Sequence, residues 1–296
     1  MAKVAIALKH ALAERARHGT PGGTLPRVLA RGSGWAVADI VCTAGPQDAP
    51  FEEQHDHFSI AIVLAGTFQY RSALGRTILT PGSVMLGNYG QCYECGHEHA
   101  EGDRCVSFWY APEYFERLAA DARARGSHVG FAVPRLPPLR ALSRIVAAAG
   151  AGATSSSLVS WEEIAVRVAA RAVGLSSGAS GPAGTPPNAE ARVTQVVRAI
   201  ERRPAAALTI ASLAREAGLS PYHFLRTFER LTGVTPHQFI LRTRLREAAL
   251  RLHDEPARVL DIALESGFGD VSNFNRAFRT EFGASPRAYR RESAGG

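Results

Sequence analysis

The chain has 296 residues, with 34 Lys and Arg against 27 Asp and Glu for a formal net charge of +7, and 46% of its residues are hydrophobic. That length suits one large or two ordinary globular domains, and the near-average composition excludes a wholly disordered, collagen-like or disulfide-framework protein. No apolar stretch approaches the ~20 residues of a membrane-spanning helix.

The apolar run at the start, residues 1–9, is too short for a signal peptide and no small-residue cleavage site follows it, so a cytoplasmic location is expected. In that reducing compartment the four cysteines are expected as thiols or metal ligands rather than disulfides.

Strands come first in chain order. Residues 25–110 alternate, with segments at 35–41, 58–64, 66–70, 76–79, 83–86 and 104–109 punctuated by turns. Short strands at this spacing predict a small barrel or sandwich, and helical periodicity follows at 113–125, 137–149 and 158–174. Within the strands, His55-Asp-His57, Leu64-Ala-Gly66 and Thr80-Pro-Gly82 resemble the two half-motifs of a cupin barrel. His55 and His57 are two apart and share one strand face, which is how a cupin enzyme presents metal ligands. The glutamate of that pattern is absent, with Ala61 and Ile62 in its place, and Gly87 and Asn88 occupy the region of the second-motif histidine. A cupin dioxygenase or isomerase needs three or four ligands, so His55 and His57 are read as lining an effector pocket.

Cys92-Tyr-Glu-Cys95-Gly-His97-Glu-His99, with Cys105 six residues later, gathers three of the four cysteines and two histidines within 14 residues. Cys-x2-Cys-Gly resembles a zinc knuckle. Its candidate ligands are Cys92, Cys95, His97, His99 and Cys105, an N/S set suited to zinc or another thiophilic metal. Two other readings stay open, a cysteine pair that oxidises to a disulfide and ordinary thiols near a hairpin. Gly96 separates Cys95 from His97, which excludes c-type haem attachment. Cys42 stands apart and is expected in the core.

The helix expected at 158–173 carries Leu158, Trp161, Ala165, Val168 and Ala172 on one stripe, either packing on the barrel or forming a homodimer seam. After it, residues 176–188 are rich in Gly, Ser and Pro and read as a flexible tether. The expected organisation is therefore a sensing domain at 1–175, a linker at 176–190 and a third segment at 191–296. Charge divides at the same place. Residues 1–190 hold 17 basic and 16 acidic groups, whereas residues 191–296 hold 17 Arg, no Lys and 11 acidic groups, a net of +6. A compact basic module suggests an anionic partner, nucleic acid first.

That module contains a duplication. Ala214, Glu216 and Gly218 recur as Ala263, Glu265 and Gly267, while Phe224, Arg226, Phe228, Gly233 and Pro236 recur as Phe274, Arg276, Phe278, Gly283 and Pro286. Each copy has a helix–turn–helix pattern. A first helix stops at a glycine, Ser220-Pro221 or Asp270 starts a second, and the phenylalanines form the buried stripe of that second helix. Its other face carries Tyr222, Leu225, Arg226 and Glu229 in the first copy and Val271, Ser272, Asn275 and Arg276 in the second. Such a helix enters the major groove, where Arg pairs with guanine, Asn with adenine, and an apolar side chain touches a thymine methyl. A helix at about 237–253 joins the two units. Arg230, Arg242, Arg244 and Arg246 suit a solvated face or phosphate contacts as well as base reading.

Residues 213–228, Gly233-Val-Thr-Pro236, residues 267–278 and the ending at 282–290 resemble the DNA-binding domain of the AraC/XylS family of bacterial transcription regulators. The resemblance implies base-facing roles for Tyr222, Leu225 and Arg226, then Val271, Ser272, Asn275 and Arg276. It also implies a cupin-like sensor domain, RNA polymerase and a second copy of the chain as partners, and no enzymatic activity. Leu225 departs from the polar readers frequent at its position. The expected fold class is α+β with two domains, a cupin-like β-barrel with trailing helices and an all-α domain with two helix–turn–helix units. From a different class, a cupin metalloenzyme with an accessory DNA-binding domain is the alternative. The alkylation-repair regulators that share this DNA-binding fold need paired cysteine spacings that Cys42, Cys92, Cys95 and Cys105 do not reproduce.

Overall fold

The computed structural model describes residues 4–122, 130–154, 159–176 and 188–294. A helix α1 (Val4–His18) precedes the strands β1 (Thr24–Gly32), β2 (Trp35–Cys42), β3 (Phe51–Gln54), β4 (Phe58–Gly66), β5 (Phe68–Ser72), β6 (Gly75–Leu79), β7 (Val84–Gly87), β8 (Cys92–Gly96) and β9 (Asp103–Tyr110). With β10 (Arg135–Leu136) they form a six-stranded sheet, β1-β2-β9-β4-β7-β10, and a four-stranded sheet, β3-β8-β5-β6, with every pairing antiparallel. The six strands expected from alternation are present, while α1, β1, β3, β8 and β10 were not anticipated. In α1 the buried residues are Val4 and Leu8, a stripe too narrow to stand out from its alanine-rich surroundings.

Alternation decides what each face does. Along β4, Ile60, Ile62 and Leu64 join the core beneath the helices, whereas Ala61 and Val63 face the smaller sheet. Along β9, Val106, Phe108 and Tyr110 take the helix side and Cys105 the sheet side. The covering helices are α2 (Pro112–Ala122), α3 (Ser143–Thr154) and α4 (Trp161–Ser176). The helix expected from 137 starts six residues later, because Pro137 and Pro138 hold the preceding backbone extended, with Leu139 at φ −81° and ψ 148°. The α4 stripe of Trp161, Ala165, Val168 and Ala172 packs on the sheet core; Leu158 lies outside the described residues. So does most of the expected tether, residues 177–187, between α4 and the next helix.

The C-terminal part is all-helical: α5 (Ala189–Arg202), α6 (Ile210–Glu216), α7 (Pro221–Thr232), α8 (Pro236–Asp254), α9 (Val259–Glu265), α10 (Val271–Phe282) and α11 (Pro286–Ala294). Two aromatic cores form. Phe224, Phe228 and Phe239 centre the first, and Phe274, Phe278, Phe282 and Tyr289 the second. The helix α8 belongs to both, giving Phe239 and Ile240 to one and Leu245, Ala248, Ala249 and Leu252 to the other.

The two halves of the molecule touch extensively. Ile78 of β6 sits in the first helical core, Ala147 of α3 in the second, and Leu250 of α8 in the sheet core. This contact corrects the reading of three arginines on α8 as a solvated or phosphate-binding face. Arg242 donates to the Pro138 carbonyl (2.9 Å) and to Glu281 (3.1 Å), and Arg246 to the Pro81 carbonyl (3.2 Å). Arg244 donates to the carbonyls of Pro204, Ala206 and Gly267. All three are committed inside the protein, Arg242 and Arg246 across the contact between the halves and Arg244 within the helical half.

Candidate nucleic-acid interface and sensor pocket

The second helix of each repeat starts where its sequence says. Ser220 caps α7 by accepting from the His223 N–H, with Pro221 in the first turn, and Asp270 caps α10 by accepting from the Asn273 N–H at 2.7 Å. Both helices end at a left-handed glycine, Gly233 and Gly283. With the phenylalanines buried, the opposite faces are free. Tyr222 is 63% exposed and Leu225 37%. Arg226 lies over the Tyr222 ring, its Cζ 5.7 Å from the centroid, and donates to the Tyr222 hydroxyl at 3.3 Å. On α10, Ser272, Asn275 and Arg276 are exposed and Val271 is half-buried; Arg276 donates to Asn273 Oδ1 at 3.2 Å. The structure thus presents both predicted trios or quartets on single helix faces. The connecting α8, of 19 residues, is about 28 Å long.

A cavity of about 500 Å³ opens between the two sheets, within the range of small-molecule sites. Its walls include His55, His57, Tyr93, Met85 and Trp109, so both predicted pocket histidines line it. They do not share a strand face as expected, because residues 55–57 form the bend between β3 and β4. His55 stacks on Tyr93 (4.0 Å between centroids), and its Nε2 lies 2.9 Å from the Tyr70 hydroxyl, which donates to the Leu86 carbonyl. A Cβ on Gly87 would fall 2.2 Å from that nitrogen, so the glycine at the second-motif position is what admits the ring. Burial pushes the His55 pKa down to about 4, which keeps the imidazole neutral at physiological pH. His57 is half-exposed and meets Asp56 at 2.8 Å.

The cysteine cluster is arranged differently from a knuckle. Cys92, Tyr93, Glu94 and Cys95 run along β8 rather than around a turn, so a spacing of three sends Cys92 and Cys95 to opposite faces. Cys92 is exposed, and His99 sits outside the cavity beside Glu98. Cys95, His97 and Cys105 face inward and line the cavity with Cys42 and Asp103. Cys42, expected as plain core, arrives there because β2 pairs with β9 in a register that sets Cys42 opposite Asp103 and Ile40 opposite Cys105. No local pattern signals that pairing; Cys42 and Asp103 are the site residues that sequence reasoning missed. Among the described residues, the groups of three or more ligating side chains are Cys42–His97–Asp103 and Glu98–His99–Glu190. Burial pushes the Cys42 thiol up to about 12, with the Asp103 charge adding to it, and raises Cys95 and Cys105 similarly. These thiols are protonated at neutral pH and poor nucleophiles, which weighs against the redox reading.

The cavity wall touches the helical half directly. Gly66, at φ +79°, lies opposite Asp103 in the β4–β9 ladder, and its N–H donates to Glu201 of α5 at 3.1 Å. A Cβ there would sit 2.3 Å from the Gly102 carbonyl oxygen and 2.6 Å from the Asp103 Cα. Gly66→Ala is expected to destabilise the protein by at least about 1–2 kcal/mol, measurable by urea denaturation, since both the left-handed backbone and the contact oppose a side chain.

Known proteins match the chain in both halves. Residues 213–292 match the helix-turn-helix domain family, and residues 41–161 match the AraC-like ligand binding domain family. The HTH-type transcriptional activator RhaS of Klebsiella pneumoniae is 28% identical over 261 residues, covering 83% of this chain and 89% of RhaS. The HTH-type transcriptional regulator MtrA of Neisseria gonorrhoeae is 31% identical over 101 residues, about a third of each chain (34%). Among solved structures, an AraC-type DNA-binding regulator from Chromobacterium violaceum is 26% identical with a TM-score of 0.34, covering 35% of this chain and 93% of its own.

Proposed function

We propose, from the premise that the chain belongs to the AraC family of transcription regulators, that it reads an operator through α7 and α10 and senses a signal in the cavity between its sheets. Binding of a small molecule there is coupled to DNA recognition through the contacts between the halves. The observation that carries the reading is the duplicated unit, each copy offering an exposed Arg, Arg226 or Arg276, on the face opposite its buried phenylalanines. Tyr222 and Leu225 flank the first, and Val271, Ser272 and Asn275 the second. A single chain carrying two such helices recognises an asymmetric site, so no palindrome is required.

The partners that follow are double-stranded DNA in the major groove, RNA polymerase beside it, and a second copy of the chain. A cytoplasmic location goes with the regulator reading. None of the described helices is long and apolar enough to cross a membrane. The protein is read as a regulator without catalytic residues. An enzymatic role for His55 and His57 is disfavoured by the Tyr70 and Tyr93 contacts, which hold His55 as a wall of the cavity.

Selection of binding sites from random duplexes, followed by gel shifts, tests this. Arg226→Ala and Arg276→Ala should each cost about 1–3 kcal/mol at one base position and relax the preference there, at different halves of the site. Unchanged binding of every sequence by both variants would remove the groove assignment.

A further inference from the structure

The inward cluster of the cavity has an unbalanced chemistry. Asp103 is buried, and its one basic partner within ion-pair distance among the described residues is His97, whose Nε2 stands 2.8 Å from Asp103 Oδ1. The neighbouring Arg104 cannot help. It points to the opposite face of β9 and is held by Asp39 at 2.8 and 2.9 Å. The other His97 ring nitrogen, Nδ1, is buried without a hydrogen-bond partner, although the side chain is only 1% exposed. Cys105 Sγ contacts Asp103 Oδ2 at 3.1 Å. One ligand atom each from Cys42, His97 and Asp103 lie within 4.8 Å of one another. A buried acid without Lys or Arg, with an imidazole and thiols beside it, lacks one thing, a cation, which His97 would bind through the Nε2 that faces Asp103.

We propose that Cys42, His97 and Asp103 form a binding site for a thiophilic divalent cation of the zinc type within the sheet cavity, its fourth position left to water or to Cys105 once that thiol turns from Asp103. Mixed sulfur, imidazole and carboxylate donors match zinc, and each thiol that binds releases its proton to solvent. Ligand atoms around a tetrahedral ion with bonds of about 2.0–2.3 Å stand roughly 3.3–3.8 Å apart, so Cys42, His97 and Asp103 need a contraction of at most about 1 Å. Cys92 and His99 take no part.

The site also has a path to the DNA-reading half. Asp103 faces Gly66, whose N–H is held by Glu201, and the preceding Gly102 carbonyl accepts from Arg198 Nη2 at 2.8 Å. Glu201 and Arg198 both belong to α5, whose Val193, Val196, Val197 and Ile200 help build the first helix–turn–helix core. Drawing Asp103 onto an ion shifts the strand end that α5 grips. Resting on the regulator reading above, loading of this site changes operator affinity.

The test uses the full chain, reduced and stripped with a chelator, titrated with zinc chloride against a chromophoric chelator and, in parallel, with cobalt chloride. Wild type should bind one equivalent, and its cobalt form should show a thiolate-to-metal charge-transfer band. Cys42→Ser and His97→Gln should weaken zinc binding at least tenfold, while Cys92→Ser and His99→Gln stay within twofold of wild type. Circular dichroism melts establish that each variant is folded. The wild-type cobalt spectrum decides by itself should a variant not fold. Absence of that band, or full zinc affinity in folded Cys42→Ser, overturns the site. Gel shifts on the selected operator with and without zinc separate the two levels. Equal operator affinity in both overturns the coupling alone, whereas no operator binding in either state counts against the regulator reading and leaves the site standing.

Discussion

Arg104→Ala should lower the stability of the protein by about 3–5 kcal/mol at pH 7, because it leaves a buried carboxylate without its main partner. Arg104 is 3% exposed and Asp39 4%. The guanidinium meets both Asp39 oxygens, at 2.8 and 2.9 Å, and also donates to the carbonyls of Val4 (2.9 Å) and Ala153 (3.0 Å). One side chain therefore ties β9, β2, the first turn of α1 and the last turn of α3. Arg27 reaches Asp39 as well, but from a largely exposed position, so it replaces little of what is lost.

The same substitution has a pH signature. Burial pushes the Asp39 carboxyl up, but the hydrogen bonds and charges of Arg104 and Arg27 outweigh burial and hold it below its ordinary 3.8. A depressed carboxyl contributes stability that is present above the unfolded value and lost as pH falls through the folded one. The gap between Arg104→Ala and wild type should accordingly be largest near neutrality and narrow in acid, closing only once pH has fallen through the depressed wild-type value, below 3.8, where Asp39 is protonated in both. Denaturant titrations at pH 7 and in acid check this. A gap independent of pH would show that lost packing, not lost charge pairing, sets the cost.

Phe278→Ala should remove about 3–5 kcal/mol from the second helical core and abolish operator binding, even though Phe278 never reaches the DNA face. The ring is fully buried and touches Phe274 (5.5 Å), Phe282 (4.5 Å) and Tyr289 (5.4 Å between centroids). It holds α10 against α11, and so sets the angle at which Asn275 and Arg276 leave the surface. Phe278→Leu keeps most of the volume and should retain most of the stability. Operator binding that survives intact in Phe278→Ala would mean that α10 contributes nothing to recognition. The equivalent Phe228 occupies the first core in the same way, contacting Phe224 and Phe239.

The C-terminal half was legible in the sequence almost residue by residue. Its helices are set by contacts three and four residues apart and by caps that lie next to the helices they start, such as Ser220-Pro221 and Asp270. Duplication then doubled every signal, and the exposed faces of α7 and α10 followed from the buried ones. The pocket histidines were placed for the wrong reason: both line the cavity, but from the bend between β3 and β4 rather than from one strand face, because the strand breaks at His55. The cysteine cluster was not legible. Proximity in sequence grouped Cys92 and His99 with Cys95, His97 and Cys105, but a strand alternates faces, so Cys92 turned outward and His99 passed beyond the cavity. Cys42 and Asp103, 61 positions apart, entered instead through the β2–β9 register, which non-local hydrogen bonding sets. The arginines of α8 were misread for the same reason. Their partners come from distant segments: docking onto the sheet half supplies Pro138 and Pro81, while packing within the helical half supplies Glu281, Pro204, Ala206 and Gly267.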